Sequence, residues 1–253
     1  MLSLLFILLV TVHAGAGLQC ITDCRLTGIP FGEELRIRAS QCQKRVELPF
    51  CTVDITLDFD TRQYSAIFGV GAILRESIFI SAAIPLNYDF TQQCSTDADC
   101  VARDAQKRID DMIGRSYNAT ALYGEIGPLI TSPSTGDQIQ CFDAGSKVVT
   151  CAPGELCRFE YDTIGGRVTS RGCVFTDIAR VSVFDSPTNA FFDINCKRDS
   201  CNGDETYDRI KDILYKNNLV RANGRILDSA GTRSAISLVS IMLSVIFALF
   251  HSA

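Results

Sequence analysis

Two stretches of the chain alternate strictly between apolar and polar positions. Val53, Ile55, Leu57 and Phe59 are interleaved with Thr52, Asp54, Thr56, Asp58 and Asp60. A period of two predicts a strand with one buried face. Asp60-Thr61-Arg62 turns it, and Gln63–Val70 returns. The second hairpin runs out along Cys157–Thr163, turns at Gly165-Gly166 with positive φ, and returns along Arg167–Phe175. Two further stretches have the helical period. Ala105, Ile109, Met112 and Ile113 share one face, ended by Gly114, and Tyr207, Ile210, Ile213 and Leu214 share another. Each helix is expected to cover its own sheet; a partner-binding or inter-domain helix is the sharper alternative.

The ends have a different pattern. Leu2 to Val12 is an apolar run followed by small residues at Ala14–Gly17, which reads as a secretory signal peptide over 1–17. At the other end, Ile236 to Phe250 is apolar. At about 1.5 Å per residue it spans roughly 22 Å, short of a hydrocarbon layer of ~30 Å, and no basic residue follows it. Small residues at Ser229-Ala230-Gly231 precede it, then Thr232-Arg233-Ser234. This order is that of a glycosylphosphatidylinositol (GPI) signal, with the tail at 235–253 and a stalk and attachment region at 223–234. Ser229 is the expected attachment residue, with Asp228 and Asn223 as alternatives. The chain between the ends is thereby placed on the extracellular face of the plasma membrane, where cysteines are expected to be cystines.

Composition adds three exclusions. The formal charge of −5 is the wrong sign for a nucleic-acid footprint. The two histidines, His13 and His251, both lie in the terminal segments. Without them the mature chain has no Ser-His-Asp or Cys-His nucleophile and no His-ligated zinc, so it reads as a non-enzyme with no cofactor. All 12 cysteines lie between the ends and fall into two sixes, Cys20, Cys24, Cys42, Cys51, Cys94, Cys100 and Cys141, Cys151, Cys157, Cys173, Cys196, Cys201. Phe90 stands four residues before Cys94 as Phe192 does before Cys196, and a helix-patterned segment begins eight residues past the last cysteine in both halves. The chain therefore reads as a tandem duplication, unit 1 over 18–126 and unit 2 over 138–222, each with a C-terminal helix, joined by a linker over 127–137.

Unit 2 resembles a known pattern. Val149-Thr150-Cys151-Ala152-Pro153-Gly154-Glu155-Leu156-Cys157, then Arg171-Gly172-Cys173, then Cys196-Lys197-Arg198-Asp199-Ser200-Cys201-Asn202 is similar to the three-finger domain of the lymphocyte-antigen-6/urokinase-receptor family. The terminal C-x4-C-N is that family's most specific mark. The resemblance covers 138–202 and reaches 18–114 through the internal repeat. It implies a small, disulfide-rich, mainly β fold of two tandem three-finger-like domains. It also implies the pairings Cys141–Cys157, Cys151–Cys173 and Cys196–Cys201 and, through the repeat, Cys20–Cys51, Cys24–Cys42 and Cys94–Cys100. The function it implies is a GPI-anchored binding protein that displays rigid loops to a cell-surface protein, such as a receptor or ion channel. The alternative is a structural or adhesive component acting by self-association.

Asn118-Ala119-Thr120 is a glycosylation sequon. Arg62 and Arg167, both at hairpin tips, are the candidate partner-binding residues. Asp97, Asp99, Asp104, Asp110 and Asp111 form an acidic cluster without EF-hand spacing, read as a solvated face rather than a calcium site. Asp54, Asp58 and Asp60 could pair as hydrolytic carboxylates, but a half-exposed strand places them there anyway. The tight cysteine spacings resemble zinc-ligand spacings, which the secretory route disfavours.

Overall fold

The computed structural model of the chain describes residues 17–37, 40–69, 73–131 and 138–227. Residues 1–16 of the expected signal peptide, most of the expected linker, Asp228, Ser229 and the expected tail lie outside these residues.

The alternating segments form the expected hairpins, β4 (Cys51–Asp58) with β5 (Gln63–Phe68) and β10 (Glu155–Asp162) with β11 (Arg167–Phe175). Each half adds a second hairpin, β6 (Glu76–Ser81) with β7 (Asn87–Cys94) and β12 (Arg180–Asp185) with β13 (Ala190–Cys196). Each also has a small two-stranded ribbon, β1 (Leu18–Ile21) with β3 (Arg45–Leu48) and β8 (Gln140–Phe142) with β9 (Val148–Thr150). β7 lies beside β4 as β13 lies beside β10, so the two halves repeat the same strand order. Unit 1 alone adds β2 (Cys24–Pro30) outside β5.

The halves do not form separate sheets. β6 pairs with β12 in antiparallel register, from Ser81 opposite Arg180 to Glu76 opposite Asp185. This seam makes one nine-stranded sheet in the order β11-β10-β13-β12-β6-β7-β4-β5-β2. Every neighbour in it is antiparallel, so β4 and β10 run in opposite directions and their hairpin tips lie at opposite ends of the sheet.

Among the described residues there are three helices, α1 (Cys100–Gly114), α2 (Ala119–Ile130) and α3 (Asp204–Lys216). All three cover one face. α1 packs on β4 and β7, and α2 crosses the seam against β6, β13 and α3. The ring of Tyr207 in α3 meets Phe159, Tyr161 and Phe192. The core under them is the apolar parity of the strands, including Ile55, Tyr64, Phe68, Ile78, Ile80, Phe90, Val181, Val183 and Ile194, all buried. Each such side chain contributes about 1.5–3 kcal/mol. The expected helices at 105–113 and 207–214 are the cores of α1 and α3. The helix α2 replaces the start of the expected linker, for Gly127 to Ile130 form its last turn. Leu122, Ile126, Leu129 and Ile130 follow a helical period and are buried, and that burial outweighs the missing N–H of Pro128.

The structure joins Cys20 to Cys51, Cys24 to Cys42, Cys94 to Cys100, Cys141 to Cys157, Cys151 to Cys173 and Cys196 to Cys201. In both halves one bridge ties the ribbon to the sheet and one fixes the chain leaving the last strand. Asn202, fully buried after the last cysteine, accepts from the Phe142 N–H at 2.9 Å and donates to the Phe142 and Arg158 carbonyls at 2.8 and 3.0 Å. It clasps β8 to β10 where no ladder hydrogen bond joins them.

Candidate interaction face

With the helices on one side, the opposite parity of the strands forms a face that no helix among the described residues covers. Its centre, at the seam, is aromatic. Phe79 of β6, Phe184 of β12 and Phe191 of β13 all have this parity and are half-buried. Phe184 and Phe191, cross-strand partners, stack at 5.0 Å between centroids. The Arg180 guanidinium lies 5.7 Å from the Phe79 ring.

Polar groups surround this centre. On the unit 2 side Arg158 donates to Asp193 at 3.0 Å and pairs with Glu160, and Asn195 donates to the other oxygen of Asp193 at 3.2 Å. On the unit 1 side Arg75 pairs with Asp54 at 3.2 Å, and the Thr91 hydroxyl donates to Asp54 at 2.6 Å. Asp89 accepts from the Ser77 hydroxyl at 3.2 Å. Burial pushes the Asp89 carboxyl above its ordinary range, because desolvation outweighs its hydrogen bonds. Among the described residues, Asn87 Oδ1, Asn195 Oδ1 and Arg180 Nε are buried on this face without a hydrogen-bond partner. An aromatic centre with arginine, ringed by polar groups short of partners, has the anatomy of a contact surface.

The residues singled out from sequence are dispersed. Arg62 is exposed in the left-handed conformation, 5.9 Å from the Phe31 ring, at one end of the sheet. Arg167, exposed at the start of β11, stands at the other end. The two tips share one turn, in which the Oδ1 atoms of Asp58 and Asp162 each accept two backbone N–H groups. In that turn Arg62 corresponds to Gly166, whose φ is also positive, and not to Arg167. Within the acidic cluster, Asp97 pairs with Arg103, Asp104 with Lys107 and Asp111 with Arg115, while Asp110 accepts from Gln106. Asp58 is engaged in its turn, and Asp54 pairs with Arg75. Asn118 is exposed and caps α2, its Oδ1 accepting from the Ala121 N–H at 2.9 Å. A glycan is carried on the side-chain nitrogen, so cap and glycan are compatible. Asn223 lies in the turn before Ile226, a buried residue paired with Val220.

Among the described residues, the groups close enough to share a metal all contain half-cystines: Cys141, Cys151 and Cys157; Cys157, Cys196 and Cys201; and Cys151, Glu155 and Cys173. Every one of these sulfurs is bridged and offers no thiolate. A groove of about 750 Å³, bordered by Arg25, Thr27, Glu33, Glu34 and Arg36 beside β2, is open and polar.

Sequence reasoning passed over the face because each phenylalanine sits among larger patterns. The signal was there: Ile78-Phe79-Ile80, Val183-Phe184 and Phe191-Phe192 are apolar on both parities, as a strand is when both faces have something to bury. No known protein-family model matches this chain, and no curated protein does.

Proposed function

We propose that this chain is an extracellular, GPI-anchored binding protein, not an enzyme, built from two three-finger-like units fused edge to edge. It binds a protein partner, such as a receptor or channel, through the uncovered face of the shared sheet. The observation that carries this is the half-buried seam cluster of Phe79, Phe184 and Phe191 with Arg180, which no helix among the described residues covers while three helices cover the other side. Six cystines keep that face rigid, so little entropy is lost on binding. The strand order of each half and the clasp by Asn202 support the three-finger reading.

The two attachment points support the same orientation. Asn118 caps α2, on the covered side. The chain leaves the described residues there too: the Leu227 N–H donates to Leu219, next to the end of α3, at 3.0 Å. Anchoring at Ser229 or Asp228 keeps this segment, including Arg225, whose Nε donates to Asp185 at 3.1 Å. Anchoring at Asn223 would delete it. On this proposal, glycan and membrane lie behind the helices and the opposite face looks outward.

Full chain displayed on cells is expected to be released by a phosphatidylinositol-specific phospholipase. The released protein, tested on an array of defined cell-surface ectodomains, is expected to bind a partner that Phe184→Ala weakens roughly thirtyfold and Arg62→Ala does not. Retention on the membrane would overturn the anchor. Partner binding untouched by Phe184→Ala would overturn the face, and a concentration-dependent dimer with no heterologous partner would transfer the assignment to self-association.

A further inference from the structure

We propose that a second copy of this chain pairs with it along β11, antiparallel and edge to edge, so that the sheet of one copy continues into the sheet of the next. The setting of the pair, two molecules on one membrane, rests on the anchor reading above; the pairing itself does not use the aromatic seam.

β11 ends the sheet on the unit 2 side, and β2 ends it on the unit 1 side. The two edges are built differently. β2 is broken by a bulge between Leu26 and Ile29, has Gly28 at positive φ, and closes on Pro30, which has no N–H to offer. These are devices that keep an edge from pairing. From Ser170 to Phe175, β11 has none of them. Its bulge lies before this run, and the register with β10 is unbroken from Glu160 opposite Ser170 to Glu155 opposite Phe175. The run contains no Pro and no carboxylate. Its one charged side chain, Arg171, is 6% exposed and turned back to pair with Asp204. Among the described residues no backbone hydrogen bond reaches the outer side of β11, so alternate N–H and C=O groups face outward. Gly172, within the run, is partly exposed, and nothing lies within 4 Å of where a Cβ would sit. At the end of the run stands Phe175, 85% exposed, the most exposed large apolar side chain among the described residues.

The symmetry of such a pair suits two anchored molecules. Neighbouring antiparallel strands in one sheet are related by a two-fold axis perpendicular to it. That axis keeps the helix layers of both copies on one side and the opposite faces on the other. The chain leaves the described residues on the helix side, where the Leu227 N–H donates to Leu219, so both anchors reach the same membrane. Residues that face one another across the axis must share a face of the sheet, so the axis passes through a residue. At Gly172 the two copies meet without side chains. Ser170 then falls opposite Val174 of the second copy, and Phe175 opposite its Thr169, so both exposed rings gain a neighbour. A chain of charge −5 repels itself over most of its surface, and the run without carboxylates is where that repulsion is least. A contact this small is weak in solution. Two copies anchored in one membrane meet at a raised effective concentration.

The test combines sedimentation equilibrium with hydrogen exchange read by mass spectrometry, on the full chain as processed and released by secreting cells. A reversible dimer with a Kd between about 1 μM and 1 mM is expected. As concentration rises, exchange at Ser170–Phe175 is expected to slow while that of β2 keeps its rate. Phe175→Ala, at a residue too exposed to hold the monomer together, is expected to weaken the dimer roughly tenfold or more. Ile73→Ala, 67% exposed elsewhere, is expected to leave it unchanged. A monomer at every concentration up to about 1 mM overturns the pairing, as does a dimer whose β11 amides exchange at the monomer's rate. A dimer lost with Phe184→Ala and kept with Phe175→Ala also overturns it, and assigns self-association to the seam face. A β11 dimer that survives when Phe184→Ala has lost the protein partner upholds both edge and face. A β11 dimer beside partner binding that Phe184→Ala leaves unchanged upholds the edge and removes the face.

Discussion

Replacing Arg108 with methionine is expected to lower the stability of the fold by about 3–5 kcal/mol, the usual result of breaking a buried ion pair from one side. Arg108 is 7% exposed and pairs with Glu76, 16% exposed, at the seam. Its guanidinium lies 4.3 Å from the Phe90 ring, and the Tyr88 hydroxyl donates to the same carboxylate. Burial holds the Tyr88 hydroxyl well above its ordinary range, so it stays a donor. Across the seam Glu76 faces Asp185, which has its own partner in Arg225. Two acids in register are therefore each neutralised from the helix side, and removing Arg108 leaves Glu76 buried beside Asp185. Against a whole-domain stability of about 5–15 kcal/mol this is a large share. The double variant Arg108→Met with Glu76→Gln is expected to recover part of the loss, since no orphan charge remains. Urea midpoints measure both. Arg103→Ala, which breaks an exposed pair with Asp97, is expected to leave the midpoint unchanged.

The bridges are expected to rank by the length of chain they close. In the chain-entropy account, removing Cys20–Cys51, 31 residues apart, with paired alanines costs about 3.7 kcal/mol, and removing Cys94–Cys100, 6 apart, about 2.2 kcal/mol. For a chain of this size the first variant should then melt roughly 3–6 °C below the second. The position of the bridge acts in the same direction, because Cys20–Cys51 ties the β1–β3 ribbon to the large sheet. A reversed order in thermal melts of non-reduced protein would show that strain or residual denatured-state structure sets the effect.

What the sequence made legible was local. The alternation at Val53–Phe59 and at Cys157–Thr163 marked its strands, because one face of each is buried and the other is not. The spacing of Ala105, Ile109 and Met112, and of Tyr207, Ile210 and Leu214, marked its helices for the same reason. The joining of the halves was not legible. Glu76–Ser81 and Arg180–Asp185 each read as an ordinary strand, and pairing them depends on residues some hundred positions apart that no local pattern links. The helix at Ala119–Ile130 was hidden by Gly127-Pro128, which punctuates a chain unless tertiary burial overrides it. The tips at Arg62 and Arg167 drew attention as turns carrying arginine. Once the strands of the two halves run in opposite directions, those tips cannot form one site, and the middle of the sheet is where both units meet.

Labelling of single added cysteines on intact cells tests this most directly. Ser182 and Val183 are neighbours on β12, with side chains on the bare and the helix-covered face respectively. A membrane-impermeant maleimide is expected to modify Ser182→Cys on unbroken cells and to leave Val183→Cys untouched until the protein is unfolded. Modification of Ser182→Cys only after the cells are permeabilised, or equal modification of both positions, would contradict an outward-looking, uncovered sheet.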